Sequence, residues 1–232
     1  DDMRSHGANF RSYRLQSKLV LLFTAALLLV GFLFFFFFEF RRESWGMSGP
    51  ESALAAFFQS VSPRTAGFNS VDLAALSPLG KLVTMLLMLV GAAPGSTGGG
   101  FKVTTLAVLL LSARAVFFRR GSPSCFGRRF QDEALRSASA IFLMYLVFFL
   151  LGGTLICCID GVPLLDALFE SASAIGTVGL SICGTPGLSL PSHLILTFLM
   201  YVGRVGGLTM IYAVTSSFPV SSQYPQERVT VG

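Results

Sequence analysis

From Leu19 to Phe38 the chain runs without a charged residue, long enough to cross about 30 Å of hydrocarbon as one helix. A second uncharged run of that length extends from about Ala138 to Ile159. After each comes a stretch that reads as a short helix, about Glu51 to Val61 and about Leu164 to Ala174, too short to span a bilayer. A glycine-bearing loop follows each short helix, and a further apolar segment then starts near Leu79 and near Ser192. The order span, short helix, Gly loop, span thus occurs twice.

The two copies align residue by residue. "FFQSVSPRTAGF" (57–68) matches "LFESASAIGTVGL" (168–180), with Gly67 and Gly179 lying 112 positions apart. Thr65 and Thr177, Met88 and Met200, Val90 and Val202, Gly91 and Gly203, Gly95 and Gly207, and Thr97 and Thr209 keep the same offset. Gln59 and Glu170 are offset by 111, which marks a one-residue insertion. Fixed-offset self-similarity of this kind is a duplication.

Composition agrees with a bilayer. Of 232 residues, 53% are hydrophobic and 12% charged, a balance that excludes an ordinary soluble domain. The first run is too long for a secretory signal and lacks a small-residue cleavage site. The chain opens without an initiator Met and is read as the C-terminal part of something longer. The net charge of +5 is unevenly spread. Arg4, Arg11, Arg14 and Lys18 precede the first span, while Arg114, Arg119, Arg120, Arg128, Arg129 and Arg136 cluster between the copies. Basic loops beside membrane ends face the cytoplasm, and the flanking spans favour that reading over a nucleic-acid patch. The short helices and their loops then enter from outside and return there. Such re-entrant backbone is tolerated only inside protein or against a water-filled cavity.

Neither loop offers an acidic ring. Thr65, Ala66, Gly67 and Phe68 in the first, and Thr177, Val178, Gly179 and Leu180 in the second, leave backbone carbonyls to coordinate a dehydrated cation. Glycine permits positive φ, which lets neighbouring carbonyls point to one side. Two ordinary turns between membrane helices are the rival reading, weakened by the two loops being in register. No CxxC pair or histidine cluster accompanies the four cysteines, and no nucleophile–base pair is present, so a metal centre and an enzyme are both set aside. No cofactor is expected in this chain.

"GAAPGSTGGGFK" (91–102) breaks the second apolar segment of the first copy. A phosphate-binding loop would need Lys directly after Gly, and Phe101 separates Gly100 from Lys102. Gly98, Gly99 and Gly100 form little helix, and Ser96 and Thr97 are expected to satisfy stray backbone groups. In the second copy Arg204 stands where the first has Ala92. Arginine at a membrane-helix centre costs about 2.5–3.5 kcal/mol and faces an interior or a cavity. A partner such as Glu170 is one option; a position facing a pore is the other.

The loops "SVSPRTAGFNSVDLAALSP" and "FESASAIGTVGLS", with "MLVGAAPGSTGGGFK", "MYVGRVGGLT" and "YPQERVTVG", resemble the Trk/Ktr/HKT superfamily of potassium transporters, above all the membrane subunit of the bacterial Ktr system. The resemblance runs over essentially the whole chain. It implies a polytopic all-α membrane protein carrying the third and fourth of four span–pore helix–filter loop–span repeats. It implies K+ filter loops at Gly67 and Gly179, and a gating loop of Gly95, Ser96, Thr97, Gly98, Gly99, Gly100 and Lys102, faced by Arg204. It further implies membrane lipid, the N-terminal half of the same subunit, a second copy in a homodimer and a cytosolic nucleotide-binding subunit as partners, in a bacterial-type cell membrane. A sodium-conducting relative and a non-conducting scaffold fragment are the alternatives. The resulting organisation is a cytoplasmic segment 1–17, a third-type repeat 18–119, a basic loop 120–135, a fourth-type repeat 136–217 and a tail 218–232.

Overall fold

In the computed structural model, residues 13–119, 124–207 and 209 are described. The basic residues at 4, 11 and 120, the motif 224–232 and the tail 218–232 lie outside them. Among the described residues the fold has seven α-helices: α1 Leu15–Phe34, α2 Gly49–Val61, α3 Pro78–Leu89, α4 Val103–Phe117, α5 Asp132–Asp160, α6 Leu164–Gly176 and α7 Leu190–Val205. The described residues depart from the expected all-α plan between α4 and α5. A hairpin of β1 Ser124–Cys125 and β2 Arg128–Arg129 lies between α4 and α5, closed over Phe126 and Gly127, both at positive φ. That is the backbone of the tight turn that matches strand twist.

Two described helices are long and apolar enough to cross a membrane, Leu15–Glu39 and Glu133–Asp160. The first ends in a π-turn, Phe35–Glu39, closed by the Phe40 N–H donating to the Phe35 carbonyl at 2.8 Å. One extra residue per turn rotates the helix face. Phe35, Glu39 and Phe40 all become buried. Residues 90–102 contain no helix and divide the second segment into α3 and α4.

Each long helix ends in a carboxylate that holds the start of the second segment of its own copy. Glu39 accepts from the Ser77 N–H at 2.9 Å and the Ser77 hydroxyl at 2.5 Å, and Ser77 caps α3 through Gly80 N at 3.0 Å. Asp160 accepts from the Ser189 N–H at 3.2 Å, where Ser189 precedes α7. These contacts satisfy N–H groups a helix start leaves open. Between the copies, Lys81 on α3 pairs with Asp166 on α6 at 2.8 Å. The core runs continuously across both copies, with Met88, Phe101, Tyr145, Phe169 and Ile175 fully or nearly fully buried.

Candidate functional site: two glycine loops and a glycine-rich plug

The short helices α2 and α6 both point their C-terminal ends at the Gly loops. A helix C-terminus carries partial negative charge, which favours a cation there. Helix α2 starts in a capping box, with Ser48 and Glu51 satisfying each other's backbone, and Pro50 in its first turn.

Both loops adopt one backbone pattern. Thr65 and Gly67 have φ of 70° and 76°, and Thr177 and Gly179 have 51° and 93°, while Ala66 and Val178 between them do not take positive φ. The N–H groups turn back on the preceding helix. Ala66 and Gly67 donate to the Ser62 carbonyl at 3.1 and 3.0 Å; Thr177 donates to Ala174 at 3.0 Å and Val178 to Ser173 at 2.9 Å. The Gly179 N–H reaches the Ser173 hydroxyl at 3.2 Å. Positive φ is uncommon for a β-branched residue, so Thr65 and Thr177 hold strained backbone. The carbonyl of Phe68 accepts from the Ser62 hydroxyl. Leu180 and Val178 are both buried.

The break at 90–102 packs beneath both loops. Its ends are tied together: Gly91 N–H donates to the Phe101 carbonyl at 2.8 Å, and Phe101 N–H to Leu89 at 3.2 Å. Its tip then meets the second Gly loop. Gly99 N–H donates to the Thr177 hydroxyl at 2.9 Å, and Gly100 N–H to the Ile175 carbonyl at 3.2 Å. A Cβ on Gly99 would lie 2.5 Å from that hydroxyl, and one on Gly98 would lie 2.7 Å from the Thr65 hydroxyl. The glycines thus serve close approach as well as helix breaking. Gly95 has positive φ and stands exposed with Ser96 and Thr97.

Arg204 and Lys102 complete the constellation. Arg204 donates to the Thr97 carbonyl, and Lys102 to the Gly98 carbonyl at 2.5 Å. Arg204 occupies the last turn of α7 rather than a helix centre. Of the two options for it, pairing with Glu170 is not the one found, because that carboxylate takes donors from residues 181–185 instead. Likewise, among the described residues, the backbone groups of the break are met by Thr177, Lys102 and Arg204, not by the hydroxyls of Ser96 and Thr97. Arg204 lines two recesses of about 400 Å3 each. One holds Glu170 and the second Gly loop, the other Pro94 to Gly98 and Tyr145.

Glu39, Lys81 and Asp166 were missing from the candidates read off the sequence, and Glu170 was named there only as one option for pairing with Arg204. For the three carboxylates the available signal was a charge at the edge of, or inside, an apolar stretch, which is retained only where partners exist.

A family model described as "TrkH: Cation transport protein" matches residues 14–223. The chain belongs to the TrkH cation transport protein family. That family is one of transporters, not enzymes, and its members are membrane proteins. Among its relatives, the chain is 35% identical over 227 residues to the potassium/sodium uptake protein NtpJ of Enterococcus hirae, covering 94% of this chain and 50% of that one. It is 33% identical over 236 residues to the Ktr system potassium uptake protein B of Vibrio alginolyticus, covering 100% of this chain and 51% of that one. The chain therefore spans about half the length of the curated relatives it matches. The solved structure of the potassium transporter TrkH from Vibrio parahaemolyticus shares its fold, with a TM-score of 0.73 at 20% identity, covering 94% of this chain and 48% of that one.

Proposed function

We propose that this chain supplies half of a K+-conducting pore, with Thr65–Phe68 and Thr177–Leu180 as filter loops and 95–100 as an intramembrane gate held by Arg204. The observation that carries the reading is the alternating backbone of the two loops, with N–H groups turned back on α2 and α6 and Val178 O directed at the first loop. Carbonyl dipoles arranged in this way replace the hydration shell of a monovalent cation. The glycine break fits a plug, since it lies directly against Thr65 and Thr177 and is tied to the second loop and to Arg204.

In this reading the protein is a multi-pass component of a bacterial-type cell membrane, with the Arg-rich hairpin in the cytoplasm and Glu43 and Asp160 outside. Its partners are the N-terminal half of the subunit, a second copy, surrounding lipid and a cytosolic nucleotide-binding subunit. The names of the Ktr-system relatives support potassium as the ion. A second reading, Na+ conduction, is favoured by the potassium/sodium name of the Enterococcus hirae relative.

The test is Rb+ and Na+ uptake into liposomes holding the full-length subunit, with the 232-residue chain in parallel. Rb+ flux by the full-length subunit alone is expected. Equal Rb+ and Na+ rates favour the second reading. No flux with either ion, in a correctly assembled subunit, leaves a scaffold role.

A further inference from the structure

Glu170 lies about midway along α6, and only 3% of its surface is exposed. Its Oε1 accepts three hydrogen bonds: Ser181 Oγ at 2.7 Å, Ile182 N–H at 2.8 Å and Cys183 N–H at 3.0 Å. Oε2 faces Thr185 Oγ1 at 3.5 Å. These are the residues that immediately follow the second Gly loop. Hydrogen bonds donated to a carboxylate are stronger than bonds between neutral groups. Every partner is neutral. Among the described residues no Lys or Arg forms an ion pair with Glu170, and the nearby Lys81 is taken by Asp166.

The first copy is built differently. Gln59, the counterpart of Glu170, turns its amide toward Thr84 of α3 at 3.4 Å. The chain after Gly67 is instead gripped by the Ser62 hydroxyl on Phe68 O. One loop is therefore backed by a full negative charge and the other by a neutral amide. Glu170 also lines the recess that contains Thr177, Val178 and Gly179.

We infer that Glu170 is a specificity-determining positioning residue. Its carboxylate clamps residues 181–183 and so fixes the second loop, and its buried charge is balanced by the cation that the loop carbonyls hold. A buried charge that no described Lys or Arg pairs with is costly, and a cation held by the loop it backs offsets that cost. The inference rests on the K+-pore reading of the same loops, and it makes the fourth-type loop the tighter of the two for a cation.

The test is Rb+ uptake by the full-length subunit and its Glu170→Gln variant in cells lacking other K+ uptake, with membrane levels matched. Glu170→Gln keeps shape and one acceptor oxygen but removes the charge. The half-saturating Rb+ concentration is expected to rise roughly tenfold, equivalent to about 1.4 kcal/mol, with the maximal rate changed less than about twofold. A purely structural role would lower the maximal rate or the protein level and leave half-saturation alone, and that result overturns the inference. Glu170→Asp, which keeps the charge, is expected to restore most of the affinity. Should neither variant reach the membrane, Ser181→Ala decides. Removal of one donor to Oε1 is expected to lower Rb+ over Na+ preference by about threefold, and unchanged preference overturns the inference. A parent subunit that moves no Rb+ would defeat the pore reading itself, a result separate from either variant's.

Discussion

The open side of the Gly67 Cα faces the carbonyl oxygen of Val178, so closely that a Cβ there would lie 2.0 Å from it. The two glycine loops are thus in direct contact across the boundary between the copies.

Both glycines have positive φ, so an added side chain strains either by about 1 kcal/mol. At Gly67 it would also strike the Val178 carbonyl of the other loop. In the full-length subunit, Gly67→Ser and Gly179→Ser are each expected to reduce Rb+ over Na+ preference. Competitive uptake measures it, and equal preference in both variants and the parent would remove the loops from ion selection.

The bond from Arg204 to the Thr97 carbonyl predicts a shared closed state. Deleting Gly98–Gly100 removes the bonds to Thr177 and Ile175, and Arg204→Ala releases the other end of the break. Each is expected to raise K+ flux several-fold and to reduce dependence on the cytosolic subunit. Combined, they are expected to be less than additive, as for residues in one network. A deletion variant that assembles but conducts no faster than the parent would leave the break as a structural kink.

Topology follows from the charge pattern. A cysteine replacing exposed Arg128 in β2, in a background without native cysteines, is expected to resist impermeant thiol reagents in intact cells and to react after lysis. One replacing Glu43 is expected to react in both. Labelling of position 128 from outside would invert the orientation.

Cys183 lies in the segment between α6 and α7. Burial, followed by the charges of Glu170 and Asp166, pushes its thiol up to about 11. The thiolate is the reactive form, so alkylation at neutral pH is expected to be slower than at an unperturbed cysteine. Its rate is expected to climb through pH 9 toward 11 instead of levelling near 9. A rate that levels near pH 9 in the folded protein contradicts this environment.

Much of the helical layout was legible from hydrophobicity alone, because lipid-length runs and short amphipathic stretches leave a period and a length in the chain. The stretch read as Glu51–Val61 is helix from Gly49, and that read as Leu164–Ala174 continues to Gly176. The glycine break was legible too, since three consecutive glycines oppose helix in any setting. Pairings between distant residues left no such mark. Nothing local distinguishes Glu170 bonding Ser181 from Glu170 bonding Arg204, and the choice was made by where α6 and α7 come to rest. The Lys81–Asp166 pair and the capping of Ser77 by Glu39 join residues 85 and 38 positions apart. The π-turn at Phe35–Glu39 is likewise invisible in a run of identical phenylalanines. Periodicity belongs to a segment and can be read along it, whereas a hydrogen bond or ion pair between segments exists only once packing has set their separation and angle.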